Sequence, residues 1–267
     1  MDFLRVDPQG ERSGEAFVPL VVSCESGLEA LLIRELDRLG YAAERIKPAK
    51  VLVRGRDLSD VIRLNFWVRQ ANRVFLLLWA GEVGSLEEVR EAAGTVPYSR
   101  WMGPDQTFGV VGVREGVHDF TSVDIGREVG AAVVEHFLKV ARVRVRAHLD
   151  APEVQFFAEL SDRHLMILLN TTGEPLTRRH PRRYQHFAPL KPPLAAALLE
   201  LSSFRKGPPL LDPMAGGGDD SSGGLLHGEE SSAGVLSARV RLSASSVFGP
   251  GALGGASGRS GAKRSPL

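Results

Sequence analysis

Hydrophobic residues recur with two different periods along the front of the chain. Leu28, Leu31, Leu32, Leu36 and Leu39 share one face of a helix over 27–39, which Gly40 stops. Leu58 to Phe66 gives a second helix with Asp57 or Ser59 near its start, and Leu86 to Ala93 a third. A longer helix runs from Val123 to about Val140, with Ile125, Val129, Ala132, Val133, Phe137 and Val140 as its apolar stripe and Asp119 or Thr121 as its cap. Strands are expected at Phe17 to Val22, Val51 to Val53, Arg73 to Trp79 and Thr107 to Val113. Val154 to Leu160 and His164 to Leu169 form two more, joined by a turn at Ser161-Asp162-Arg163. Arg142 to Ala147 alternates arginine with valine or alanine, as a strand with one wet face does. Residues 1–16 are polar and expected to be loose, and residues 17–170 make a mixed α/β (α+β) block.

Beyond that block the pattern changes twice. Residues 171–193 gather Arg178, Arg179, His180, Arg182, Arg183, Tyr184, His186 and Lys191 between prolines, which reads as a basic linker. Leu194 to Leu199 then starts a helix with Pro193 in its first turn, and Leu210-Leu211 leads as a short strand into Asp212-Pro213-Met214-Ala215-Gly216. From residue 219 to 267 glycine and serine dominate, a composition that resists packing into a core.

The totals restrict function mainly by exclusion. The chain has 267 residues and a net charge of +1, so any nucleic-acid contact must come from local patches rather than a global field. A single cysteine, Cys24, excludes an internal disulfide and a cysteine-cluster zinc site, and reads as a small buried residue. His180 and His186 lack a third ligand at suitable spacing, so no metal is expected. The N-terminus has neither the basic nor the apolar region of a signal peptide, and no apolar run approaches a membrane span. A monomeric cytoplasmic protein is the expectation. Arg178, Arg179, Arg182, Arg183, Tyr184 and Lys191 are candidates for contacts to RNA phosphates, set against a solvated linker. Arg142, Arg144 and Arg146 suit either an RNA face or an ordinary wet sheet. His118-Asp119 beside Arg114 has no nucleophile and reads as a structural turn.

Several motifs, in order, resemble a known family. Ser23-Cys24-Glu25-Ser26-Gly27-Leu28-Glu29, the run Asp60 to Val74, His118-Asp119-Phe120-Thr121-Ser122 and Thr172-Gly173-Glu174-Pro175-Leu176 are similar to the THUMP-containing RNA methyltransferases. Ala188-Pro189-Leu190-Lys191 resembles that family's linker, and Asp212-Pro213-Met214-Ala215-Gly216 its S-adenosylmethionine loop. The resemblance implies a ferredoxin-like region and a THUMP domain gripping structured RNA. It also implies the start of a Rossmann-like methyltransferase over 194–218 that modifies guanine N2 of tRNA or rRNA. Asp212, Pro213, Ala215, Gly216 and Gly218 would then bind the cofactor.

Two departures weaken the chemistry. The loop runs Gly216-Gly217-Gly218-Asp219-Asp220, placing carboxylates where the methionine carboxylate would bind. The Asn/Asp-Pro-Pro-aromatic motif that grips the flipped base is absent from this chain, so no catalytic residue is assigned. Only 55 residues follow Asp212 (267 − 212), fewer than two βα units of roughly 30 residues each. The expectation is RNA binding without methyl transfer. The tail after Gly217 reads as the wrong frame of a GC-rich gene, which its coding sequence would test. A stand-alone THUMP RNA-binding protein and a DNA adenine methyltransferase are the alternatives.

Overall fold

The computed structural model describes residues 17–178 and 190–202. The first half is a β-α-β-β-α-β unit. It comprises β1 (Val18–Ser23), α1 (Glu29–Arg38), β2 (Ala43–Lys47), β3 (Lys50–Gly55), α2 (Ser59–Trp67) and β4 (Arg73–Glu82). Its strands lie antiparallel in the order β2-β3-β1-β4, the arrangement of ferredoxin-like units. The second half supplies α3 (Leu86–Gly94), β5 (Thr107–Glu115), α4 (Ser122–Val140), β6 (Arg146–Ala147), β7 (Val154–Ser161) and β8 (His164–Asn170). These strands extend the same sheet, which has eight strands in the order β2-β3-β1-β4-β8-β7-β5-β6. β5 and β7 are parallel, with α4 in their connection. A last helix, α5 (Pro192–Leu201), follows the basic linker.

The four helices α1–α4 cover one face of the sheet. Leu32 and Leu36, Val61 and Leu64, Val89 and Ala93, and Ile125, Val129 and Phe137 share one core with Leu20, Val22, Leu76 and Phe156. The expected α4 stripe is buried as far as Phe137, while Val140 is exposed at the helix end. Thr121, not Asp119, caps α4: its hydroxyl accepts from the Asp124 N–H, and the Asp124 carboxylate accepts from the Thr121 N–H. α1 begins two residues later than its leucine spacing suggests, because Gly27 takes φ +92 to turn into it.

Two readings of the strands change. β2 was not anticipated, since Glu44, Arg45 and Lys47 mask its pattern. The strand expected over 142–147 shrinks to Arg146–Ala147, because Arg142 sits at φ 57, off the extended path. Trp67 is 60% exposed, whereas Trp79 and Trp101 pack against the core.

The opposite face is concave. Four strand spacings separate β3 from β7, roughly 19 Å in a flat sheet. Yet Lys50 Nζ of β3 donates to Glu159 Oε1 of β7 at 2.7 Å, and Lys47 Nζ reaches the other Glu159 oxygen at 3.2 Å. The sheet therefore curls until its two halves face each other. The hollow holds a second apolar cluster of Val21, Leu52, Phe75, Leu77, Phe157 and Leu168, with Phe75 and Phe157 edge to face at 5.2 Å. Burial pushes the Lys50 pKa down, and the facing Glu159 carboxylate works against that shift.

One contact between the α3–β5 connection and α4 is sensitive to pH. The Ser99 N–H donates to His136 Nε2 at 3.1 Å, which requires a neutral ring. Burial, then the Lys139 charge, lowers the His136 pKa below 6.5. The unfolded chain thus takes up this proton first, so the contribution is full above 6.5 and falls as the medium is acidified below it. Melting temperature followed from about pH 8 to about pH 5.5 should drop across that window. His136→Gln should flatten the drop, and an unchanged profile would count against the contact.

Candidate nucleic-acid interface

The two described residues of the basic cluster, Arg178 and Lys191, meet the fold at one corner, where the α2–β4 connection enters β4. The Leu176 N–H donates to the Asn72 carbonyl at 2.8 Å, which sets the turn Leu176–Arg178 beside β4. Thr171 and Thr172 hold this path in place. The Val74 N–H donates to Thr172 Oγ1 at 2.8 Å, and the Thr172 hydroxyl donates to Asn65 Oδ1 of α2 at 2.6 Å. Lys191 Nζ donates to Glu25 Oε1 at 3.0 Å, and Asn72 Nδ2 donates to the same oxygen at 3.2 Å. Lys191 is therefore tied to Asn72 through Glu25, and the turn that carries Arg178, thirteen positions earlier, is tied to Asn72 through Leu176.

Arg73 completes the corner. Its guanidinium lies over the Phe157 ring at 5.5 Å, and its Nε is buried without a hydrogen-bond partner among the described residues. Burial, then the Arg178 charge, lowers its pKa. Arg178 itself lies 3.7 Å from Glu174 and is largely exposed. Arg73 escaped notice in the sequence because an arginine opening an apolar strand reads as a strand end. Its only signal was its place within the family motif.

The other candidates fall elsewhere. Arg179, Arg182, Arg183 and Tyr184 lie outside the described residues, as do Asp212, Pro213, Ala215, Gly216 and Gly218. Arg142, Arg144 and Arg146 are exposed near the far sheet edge, with Val145 buried between the last two. His118 Nε2 contacts the Asp162 carbonyl at 2.5 Å, while Arg114 donates to the His118 and Phe120 carbonyls. That loop is a hydrogen-bonded turn, as expected. Cys24 is buried, and burial, then Glu29 and Glu25, pushes its thiol up to about 12, so it is no nucleophile. No group of three potential metal ligands occurs among the described residues. Among them, no helix is long and apolar enough to cross a membrane.

Three family models match in the order of the fold. An RlmL ferredoxin-like domain matches residues 19–75, a THUMP domain residues 83–170, and an RMKL-like methyltransferase domain residues 179–219. The chain thus carries a ferredoxin-like domain, a THUMP domain and part of an RMKL-like methyltransferase domain. Among its relatives, the tRNA (guanine(6)-N2)-methyltransferase of Methanocaldococcus jannaschii is 30% identical over 202 residues, covering 74% of this chain and 53% of that protein. The ribosomal RNA large subunit methyltransferase K/L of Cellvibrio japonicus is 33% identical over 202 residues, covering 73% and 26%. The crystal structure of a predicted N6-adenine-specific DNA methylase from Listeria monocytogenes superposes with a TM-score of 0.71 at 27% identity, covering 82% of this chain and 58% of that one. TrmN from Thermus thermophilus gives 0.58 at 27% identity, covering 71% and 56%. The chain spans about half the length of the archaeal relatives it matches. THUMP-containing methyltransferases of this kind depend on S-adenosylmethionine.

The helix α5 lies within the residues matched to the methyltransferase domain, and it is fastened to α1. Arg38 grips Glu200 with both guanidinium nitrogens, at 3.1 and 2.9 Å, and Gln70 Nε2 donates to Glu200 at 2.6 Å. Burial alone would raise the Glu200 pKa, but the Arg38 hydrogen bonds and charge outweigh it and hold the group ionised. Lys191 at the N-cap fastens the other end through Glu25.

Proposed function

We propose that this chain is the RNA-binding part of a guanine-N2 methyltransferase of tRNA or rRNA, joined to the first strand and loop of its catalytic domain. The observation that carries the reading is the corner at Arg73, Arg178 and Lys191. The basic linker leaves and re-enters the fold there, on a sheet shared by the ferredoxin-like and THUMP regions. RNA affinity follows phosphate neutralisation by such residues, and Arg179, Arg182, Arg183 and Tyr184 belong to the same linker. The names of the archaeal and Cellvibrio relatives support guanine N2 and an RNA substrate.

Asp212, Pro213, Ala215, Gly216 and Gly218 would hold S-adenosylmethionine, which supplies the methyl group when bound. The methyltransferase match, reaching residue 219, includes them. The grip on a flipped base needs the Pro-Pro-aromatic motif that this chain lacks. The chain is therefore proposed to bind RNA without methylating it.

A gel shift against a tRNA transcript, an rRNA fragment and duplex DNA tests the reading, followed by a methyl-transfer assay on the same RNAs. RNA binding in preference to DNA, with no transfer, is the expected result. Preference for duplex DNA would favour the chemistry named for the Listeria structure. Transfer by the purified chain would refute the catalytic part.

A further inference from the structure

We propose that Arg73 and Arg178 form a phosphate-binding site, the point at which the corner takes a phosphodiester of the RNA. The proposal rests on the RNA-binding reading and adds to it a residue on the body of the sheet.

Three observations converge on it. First, a buried donor without a partner is uncommon and costly, and Arg73 Nε is one among the described residues. Second, no carboxylate among the described residues lies within salt-bridge distance of Arg73. Other half-buried guanidiniums here have one, as Arg69 has Glu35 at 3.2 Å and Arg90 has Glu128 at 2.9 Å. Third, like charges gather here: the Arg178 charge adds to burial in lowering the Arg73 pKa, and the Arg73 charge bears in turn on Lys50. The Leu176–Asn72 hydrogen bond brings Arg178 alongside, so two positive groups share a site held by the fold.

The Phe157 ring packs against the guanidinium, its centroid 5.5 Å from the central carbon. A planar fork beside a second cation suits two oxygens of one phosphate. Nearby acids are already engaged: Glu25 with Lys191 and Asn72, and Glu174 with Arg178 at 3.7 Å. Asn170 Nδ2 is spent on Gln155 Oε1 and the Gly173 carbonyl. The demand for an acceptor therefore falls on a ligand.

The test uses the full chain, Arg73→Met and Arg178→Gln. RNA affinity is measured by fluorescence anisotropy across a salt series, and inorganic pyrophosphate is titrated while the melting temperature is followed. Each variant should weaken RNA binding by roughly tenfold and lower the salt slope by about one. The melting-temperature rise with pyrophosphate should shrink in both. Arg178 is exposed, so its variant keeps the test decisive if Arg73→Met fails to fold. Undiminished RNA affinity and salt slope in both folded variants would overturn the site while leaving the RNA-binding reading intact. A pyrophosphate response that both variants diminish, in a wild-type chain that binds no RNA, would uphold an anion site for a free phosphate compound and refute the RNA reading.

Discussion

Gly112→Ala is expected to be the most damaging single-methyl change in the described fold. Gly112 lies in β5 where the first turn of α4 crosses it. An added Cβ would stand 1.8 Å from the Ser122 carbonyl oxygen and 3.0 Å from the Gly126 nitrogen, both main-chain atoms. Neither can rotate away, so α4 must shift, and with it Ile125, Val129, Val133 and Phe137 in the core. The cost should be about 3 kcal/mol, a fall in melting temperature of roughly 6–12 °C. Gly130→Ala is the control. Its Cβ would meet nothing nearer than 3.9 Å, and alanine favours the helix, so that variant should melt at or above the wild-type temperature. Equal melting of the two variants would show that the crossing is looser than described.

Glu159→Leu is the second large effect. It removes the carboxylate that pairs Lys50 and Lys47 and leaves Lys50 uncompensated in the hollow of the sheet. Breaking one side of a buried pair costs about 3–5 kcal/mol, whereas replacing both sides with apolar groups can be neutral. Lys50→Met combined with Glu159→Leu should therefore recover most of the loss. Lys47 keeps Glu115 at 3.6 Å as a partner. Urea denaturation of the single and double variants would decide it. A double variant no more stable than Glu159→Leu would mean that the pair contributes through something other than mutual neutralisation.

The helices were legible because their leucine and valine spacing is what packs them: α1 buries Leu31, Leu32 and Leu36 of its stripe, and α4 buries its stripe from Ile125 to Phe137, while Leu39 and Val140 at the helix ends stay exposed. The curl of the sheet was not. Only Val51 to Val53 was legible as a strand there, with Lys50 just outside it. Nothing local says that Lys50 meets a glutamate 109 positions later. β2 stayed hidden for a related reason, since an edge strand can carry Glu44, Arg45 and Lys47 at no packing cost. At the candidate site, the charge of Arg178 and Lys191 was visible, but their convergence was not. That depends on the Leu176 and Asn72 hydrogen bonds, which join distant parts of the chain. The cofactor residues were legible only through resemblance.

The order of the strands also governs how this molecule can be cut. The boundary between the ferredoxin-like and THUMP matches falls near residue 83, yet β4 and β8 are bonded across it from Phe75–Asn170 to Glu82–His164. Severing the chain there leaves each piece with a long apolar strand unpaired along one edge, the kind of edge that recruits other chains. Each fragment alone should therefore be prone to self-association. The same seam is a template for reassembly: two fragments made together carry matching halves of one ladder, and can complement each other without a covalent link.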